Sequence, residues 1–167
     1  MKSFLFGLLG CGRNNRPRVS NQEPLICDAK REELRRICET EQGEARNFII
    51  PYPLDRHEKE FAKPDVIYKS IWRGGQHIGF LILVLDSDAR SVELRRIVVA
   101  ESGRGYGKRV VSMIDDICRD ELGRVRVWLD VFETNDRARH VYEQCGYRRF
   151  GKSEHEGRSF LLYEKAV

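Results

Sequence analysis

Between Ser91 and Phe132 the hydrophobic pattern changes period twice, and this restricts the available folds more than any other feature of the chain. Ser91 to Val99 alternates as a strand, and Gly103-Arg104-Gly105-Tyr106-Gly107 follows. Val110, Val111, Ile114, Ile117 and Cys118 then repeat with a period near 3.6, the stripe of an amphipathic helix that Gly123 ends. Val125 to Phe132 alternates again. A helix joining two strands of one sheet brings the second back parallel to the first. The chain therefore holds one parallel β-α-β unit.

The segments around this unit read as antiparallel. Leu25-Ile26-Cys27 is a short strand, and Asp28 caps a helix over 29–42 in which Leu34, Ile37 and Cys38 share a face. Pro51 and Pro53 break the chain before a short helix from Asp55 to Ala62. Val66–Arg73 and Gln76–Asp86 are strands about a Gly74-Gly75 turn, and Ser91–Val99 follows after Ser87-Asp88-Ala89-Arg90. Asn135 or Thr134 caps a helix whose Ala138, Val141, Tyr142 and Cys145 face inward, and Gly146 stops it. Tyr147–Gly151 and Arg158–Tyr163 form a closing hairpin. The expected fold class is α/β (α+β): a mixed, mostly antiparallel sheet flanked by helices, with a splayed central parallel strand pair. Residues 1–22 are expected to be a flexible tail and 23–167 one domain.

Charge narrows the function. The net charge of +4 is matched by Lys2, Arg13, Arg16 and Arg18 in residues 1–20, a stretch without an acid, so the remaining body is neutral. A neutral body excludes a broad nucleic-acid-binding face. Cys11, Cys27, Cys38, Cys118 and Cys145 show no CxxC spacing, and His57, His77, His140 and His155 show no metal-ligand spacing. Reduced thiols of a cytoplasmic protein and no metal are the expectation. The apolar run Phe4–Leu9 before Cys11 is too short for a membrane span, so no stable membrane insertion is expected; a lipidated Cys11 is the alternative reading of this end.

A glycine-rich turn between strand and helix is suited to an anion, because free N–H groups and the helix dipole converge there. Arg104, Lys108 and Arg109 add charge at the same end, against the dipole, which fits a site that awaits a phosphate. The turn lacks the G-x-G-x-x-G dinucleotide fingerprint and the Gly-Lys-Ser/Thr of a P-loop.

The run Glu93-Leu94-Arg95-Arg96-Ile97-Val98-Val99 with Gly103-Arg104-Gly105-Tyr106-Gly107-Lys108 resembles the cofactor motif of the GNAT superfamily of N-acetyltransferases. Arg104 and Gly107 match that motif, and Arg109 departs from its last Gly or Ala. The second half of the signature, N-x-x-A-x-x-x-Y-x-x-x-G-[FY], is matched at Asn135, Ala138, Tyr142, Gly146 and Tyr147. Gly79-Phe80, Val92-Glu93-Leu94 and the short loop before Gly103 resemble the ribosomal-protein and aminoglycoside-type branch.

The resemblance implies acetyl transfer from acetyl-CoA to a primary amine of a small molecule, a protein N-terminus or a lysine. It implies that Ile97, Val98, Val99, Arg104, Gly105, Tyr106, Gly107, Lys108, Arg109 and Asn135 hold acetyl-CoA, with the Val98 N–H supporting the oxyanion. Tyr142 is then the general acid. Glu93 and Asp130 compete as general base, Glu93 slightly ahead, and the slip in alternation at Arg95-Arg96 is a β-bulge. A homodimer is compatible with this reading. The alternatives are a non-catalytic acyl-CoA-binding regulatory module of the same fold, and a membrane-surface protein held by residues 1–18.

Overall fold

The alternating runs become strands of a single sheet, and the two helix periods cover its two faces. A computed structural model describes residues 23–43, 49–100 and 106–167, so the expectations for residues 1–22, Arg104 and Gly105 lie outside the described residues. The strands are β1 (Leu25–Asp28), β2 (Val66–Arg73), β3 (Gln76–Leu85), β4 (Ser91–Val99), β5 (Arg126–Phe132), β6 (Arg148–His155) and β7 (Arg158–Ala166). The helices are α1 (Leu34–Gln42), α2 (Leu54–Phe61), α3 (Tyr106–Asp116) and α4 (Asp136–Gln144).

The sheet order is β1-β2-β3-β4-β5-β7-β6, and β4–β5 is its parallel pair. The mixed, mostly antiparallel architecture expected from the sequence is thus present, with helices on both faces. Val110, Val111 and Ile114 of α3, with Cys118 just beyond its end, bury against Val92, Leu94, Val127, Leu129, Leu161 and Tyr163. On the other face Leu34 and Ile37 of α1 bury against Val66, Tyr68, Phe80, Ile82 and Val98. The β2–β3 turn uses Gly74 and Gly75, both in the left-handed region (φ 56° and 85°), as a two-residue hairpin requires.

Three local expectations are corrected. Asp28 ends β1 and pairs with Lys69 at 3.0 Å instead of capping a helix. The entry to the helix is a 3₁₀ turn over Arg31–Glu33, where Glu33 accepts the Lys30 N–H at 3.1 Å. The long helix stays α-helical only to Asp116 and widens into a π-turn over Ile117–Glu121 before Gly123.

β4 carries the feature that positions the site. Its register with β3 runs Ile82↔Arg96 and then Leu83↔Leu94, so Arg95 is an extra residue, a bulge where the broken alternation placed it. Before the bulge Val92 and Leu94 face α3; beyond it Ile97 and Val99 do. Arg96 and Val98 are thereby turned to the α1–α2 side. A second slip, at Ile78 in β3, brings Gly79 close to β4: a Cβ there would lie 2.0 Å from the Val98 carbonyl oxygen. Gly79→Ala must therefore push the strands apart, and it should lower unfolding free energy by about 1–3 kcal/mol. A urea midpoint identical to that of the parent protein would contradict this close approach.

Candidate active site

The parallel ladder between β4 and β5 is short. It holds at Ser91↔Arg126, Val92↔Val127 and Glu93↔Trp128, and the strands part while β4 continues to Val99 and β5 to Phe132. A V-shaped gap opens between them. Ala100 N–H donates to the Ile78 carbonyl at 2.7 Å, which sets the alternation along this edge. Val98, two residues back, turns its N–H and C=O towards β3, while Ile97 and Val99 turn theirs to the gap. The expectation for Val98 N–H is corrected accordingly: the donors facing the gap belong to Ile97 and Val99. Backbone groups on an interior strand edge with no ladder partner among the described residues suit an extended ligand with amide groups.

α3 begins at the mouth of this gap with Tyr106, Gly107, Lys108 and Arg109. Lys108 and Arg109 are exposed at its first turn, and Arg109 pairs with Glu23 at 3.4 Å. The Tyr106 hydroxyl accepts a 2.8 Å hydrogen bond from Arg73 Nη1, fixing the start of α3 to the end of β2. Asn135 is the N-cap of α4: its Oδ1 accepts the Ala138 N–H at 3.1 Å. The motif asparagine therefore caps the helix that carries Tyr142.

Tyr142 projects from α4 into the face of the core beside the gap and is buried. Its ring packs against Tyr147 at 5.7 Å between centroids, and Tyr147 is itself fixed by a 2.7 Å hydrogen bond to Asp115. The Tyr142 hydroxyl makes no hydrogen bond to the described residues. Burial, then the nearby Asp130 carboxylate, pushes its pKa well above the ordinary phenol value. A phenol in that state is protonated at neutral pH and can donate but not accept a proton.

The two candidate carboxylates project from the opposite face of the strand pair. Glu93 is part of an ion-pair network: its Oε2 accepts from Arg95 Nε at 3.1 Å and Nη2 at 2.7 Å, while Arg95 Nη1 reaches Glu60 of α2 at 3.3 Å. Asp130 stands exposed on β5 and has no ion pair among the described residues. The low-dielectric walls of the gap raise its pKa, Glu93 raises it further, and Arg96 and Arg95 oppose the shift. The structure thus brings Tyr142, Asp130 and Glu93 to one gap and separates the two acids by what already occupies them.

Sequence reasoning missed the buried polar layer behind Glu93. Glu41 and His57 are fully buried, and Glu60, expected to lie on a solvated helix face, has a side chain 13% exposed, paired with Arg95 and with Lys63 at 2.6 Å. The signal was available: Glu41 falls on the stripe of Leu34, Ile37 and Cys38, and His57 lies between Leu54 and Phe61 at helical spacing. Among the described residues no group of His, Cys, Asp or Glu has metal-holding geometry, and no helix is long and apolar enough to cross a membrane.

Comparison with known proteins agrees with this geometry. Residues 31–147 match the Acetyltransferase (GNAT) family, and the chain belongs to it. It is 30% identical over 109 residues to an uncharacterized N-acetyltransferase in the pepI 3' region of Lactobacillus delbrueckii subsp. lactis. That match covers 60% of this chain and 61% of the relative, so the chain spans about three fifths of the curated relative's length. The crystal structure of spermidine N-acetyltransferase from Vibrio cholerae in complex with CoA and spermine superimposes with a TM-score of 0.74 at 17% identity, over 86% of this chain and 95% of that one. A dodecameric structure of spermidine N-acetyltransferase from the same organism, in an intermediate state, gives 0.72 at 19% identity over 86% and 94%. At those identities the structures show the fold. The family and the named relative support acetyl transfer to an amine, as the sequence led one to expect, and nothing in them supports a non-catalytic module.

The cap assignment is directly measurable. Asn135→Ala should cost about 0.5–2 kcal/mol of stability in a thermal or urea melt, and Asn135→Asp should retain most of it.

Proposed function

We propose that this protein transfers the acetyl group of acetyl-CoA to the primary amine of a cationic acceptor by direct attack, with Asp130 as general base and Tyr142 as general acid. The observation that carries this reading is the gap itself: unpaired strand edges at Ile97 and Val99, with a buried, unspent phenol on one side and an unpaired carboxylate on the other.

Acetyl-CoA supplies an activated carbonyl with a thiolate leaving group. The strand edge of Ile97 and Val99 suits its amide-bearing arm, and one of their N–H groups faces the charge that develops on the carbonyl oxygen. The start of α3, with Tyr106, Gly107, Lys108 and Arg109, suits its pyrophosphate, as do Arg104 and Gly105 by sequence. Asp130 accepts a proton from the acceptor ammonium and passes it to solvent, and then takes the second proton from the attacking nitrogen. Tyr142 gives its proton to the departing sulfur and is reprotonated through solvent. Of the two protons that leave the nitrogen, one is thus replaced on the thiol and one is released to bulk water.

Glu93 is assigned a supporting role, since the lone pairs of Oε2 are already used by Arg95. This reverses the order in which the sequence ranks the two acids. Glu93 and Glu60 are held in ion pairs with Arg95 and Lys63, and the Asp130 carboxylate, exposed and without an ion pair among the described residues, is the charge that favours a cationic acceptor. The spermidine acetyltransferases that share the fold make polyamines the first acceptors to assay. Cys27, Cys38, Cys118 and Cys145 are free thiols, which supports a cytoplasmic setting, with residues 23–167 acting as one catalytic domain.

Tyr142→Phe should lower kcat by about 10²-fold or more while CoA binding by calorimetry is retained. For Asp130 the sign follows from its raised pKa: activity requires the ionised form, so kcat/KM falls as pH drops through a midpoint above the ordinary carboxylate range. Asp130→Asn should abolish that acidic limb, and Glu93→Gln should leave it in place. The reverse pattern would return the base to Glu93.

A further inference from the structure

The bulge at Arg95 has a second effect, on the residue after it. Unbroken alternation would send Arg96 into the apolar layer beneath α3; the extra residue turns it into the α1–α2 layer, where its side chain is 7% exposed. There Arg96 Nη1 donates to Glu41 Oε1 at 2.9 Å and Nη2 to the Ile50 carbonyl at 2.7 Å. The Tyr52 ring lies between two guanidinium groups, Arg96 at 3.5 Å and Arg56 at 3.6 Å from its centroid. Glu41 Oε2 accepts the Tyr52 N–H at 2.7 Å and lies 3.4 Å from His57 Nε2, whose ring meets the Tyr68 hydroxyl through Nδ1 at 3.1 Å. One fully buried carboxylate and one buried guanidinium thus join the end of α1, the segment Ile50–Tyr52, the first turns of α2 and the bulged strand.

A buried ion pair is a poor source of stability, because desolvating two charges costs about what their attraction returns. A well-packed apolar pair would serve the core equally well. What the charged pair adds is direction: a planar fork fixes the angle between β4 and the α1–α2 layer, which apolar packing leaves looser. Arg96 lies one residue before Ile97 and three before Val99, whose backbone groups face the gap.

We infer that Arg96 and Glu41 are positioning residues that couple occupancy of the β4 edge to the order of the Ile50–His57 wall on the acceptor side. This rests on the assignment of the β4 edge to acetyl-CoA. Binding there straightens and fixes the strand from Ile97 to Val99, and the fork transmits that order to Tyr52 and α2.

Amide hydrogen exchange on the full chain, with and without CoA, tests the coupling without knowing the acceptor. In the parent protein CoA should slow exchange both at Ile97–Val99 and at Ile50–His57. In the double variant E41L/R96M, CoA should still protect Ile97–Val99 but no longer Ile50–His57. With spermine as the probe amine, the KM for amine should rise by about tenfold while that for acetyl-CoA stays unchanged. R96K, which keeps the charge and loses the planar fork, should give the same separation if the double variant does not fold. Equal protection of Ile50–His57 in parent and variants, or none there in the parent, overturns the coupling alone. Absence of protection at Ile97–Val99 in the parent overturns the cofactor assignment, and the coupling with it.

Discussion

One inserted residue governs this molecule. A strand has a strict two-residue period, so adding Arg95 to β4 without a counterpart in β3 must exchange the faces seen by every later residue. The first half of β4 uses Val92 and Leu94 to seal the α3 layer and pairs with β5. The second half, beyond the slip, uses Val98 to seal the other layer and no longer follows β5. The local twist that a bulge adds explains why the parallel ladder stops at Glu93↔Trp128, next to the slip. The gap, the unpaired groups of Ile97 and Val99, and the burial of Arg96 follow from this single insertion.

The electrostatics of the gap depend on the same residue. A guanidinium at the bulge lies close to Glu93 and reaches across to Glu60 on α2, so it binds the acid nearest to it in sequence. Asp130, across the gap on β5, is left without such a partner and feels Glu93 as a like charge. Two carboxylates on one face are thereby made unlike each other: one holds an arginine in place, the other has no ion pair among the described residues. Tyr142 completes the set from the opposite face, where Asp130 adds to burial in keeping its proton on. The phenol and the unpaired carboxylate thus stand on opposite faces of the strand pair that borders the opening.

Local rules made much of this legible in the sequence. The stripe Val110, Val111, Ile114, Cys118 identified α3 because burial follows helical period, and the loss of alternation at Arg95-Arg96 identified the bulge because period-two order has no other simple way to fail. The matched spacing from Asn135 to Tyr147 corresponds to the N-cap of α4 and to two buried tyrosines, Tyr142 and Tyr147, in ring contact. What stayed hidden depended on partners distant in sequence. Arg96 and Glu41 are separated by 55 positions, and Arg95 and Glu60 by 35. A sequence pattern reports that Glu41 falls on an apolar face; it does not report which cation neutralises it. Alternation likewise puts Glu93 and Asp130 on one face and says nothing about what binds them, and only the fold shows that Glu93 holds Arg95. The Val98 N–H was misassigned because the direction of a backbone N–H depends on the β3 register, which is fixed by the slips at Ile78 and Arg95 together.

The glycines and arginines also divide by function in a way that sequence spacing alone does not show. Gly79 has no role in a turn; its lack of a side chain lets the Val98 carbonyl approach β3, and that approach holds the polar groups of Val98 on the β3 side. Because Val98 is committed to β3, its neighbours Ile97 and Val99 must present their N–H and C=O groups to the gap. The two arginines of the bulge then act in opposite directions from adjacent positions. Arg95 restrains the acidic rim of the opening, and Arg96 reaches back into the layer that carries α1 and α2. A mutation at either alters the gap without changing the residues that line it, so the shape and charge of this opening are set as much by the strand's irregularity as by its lining.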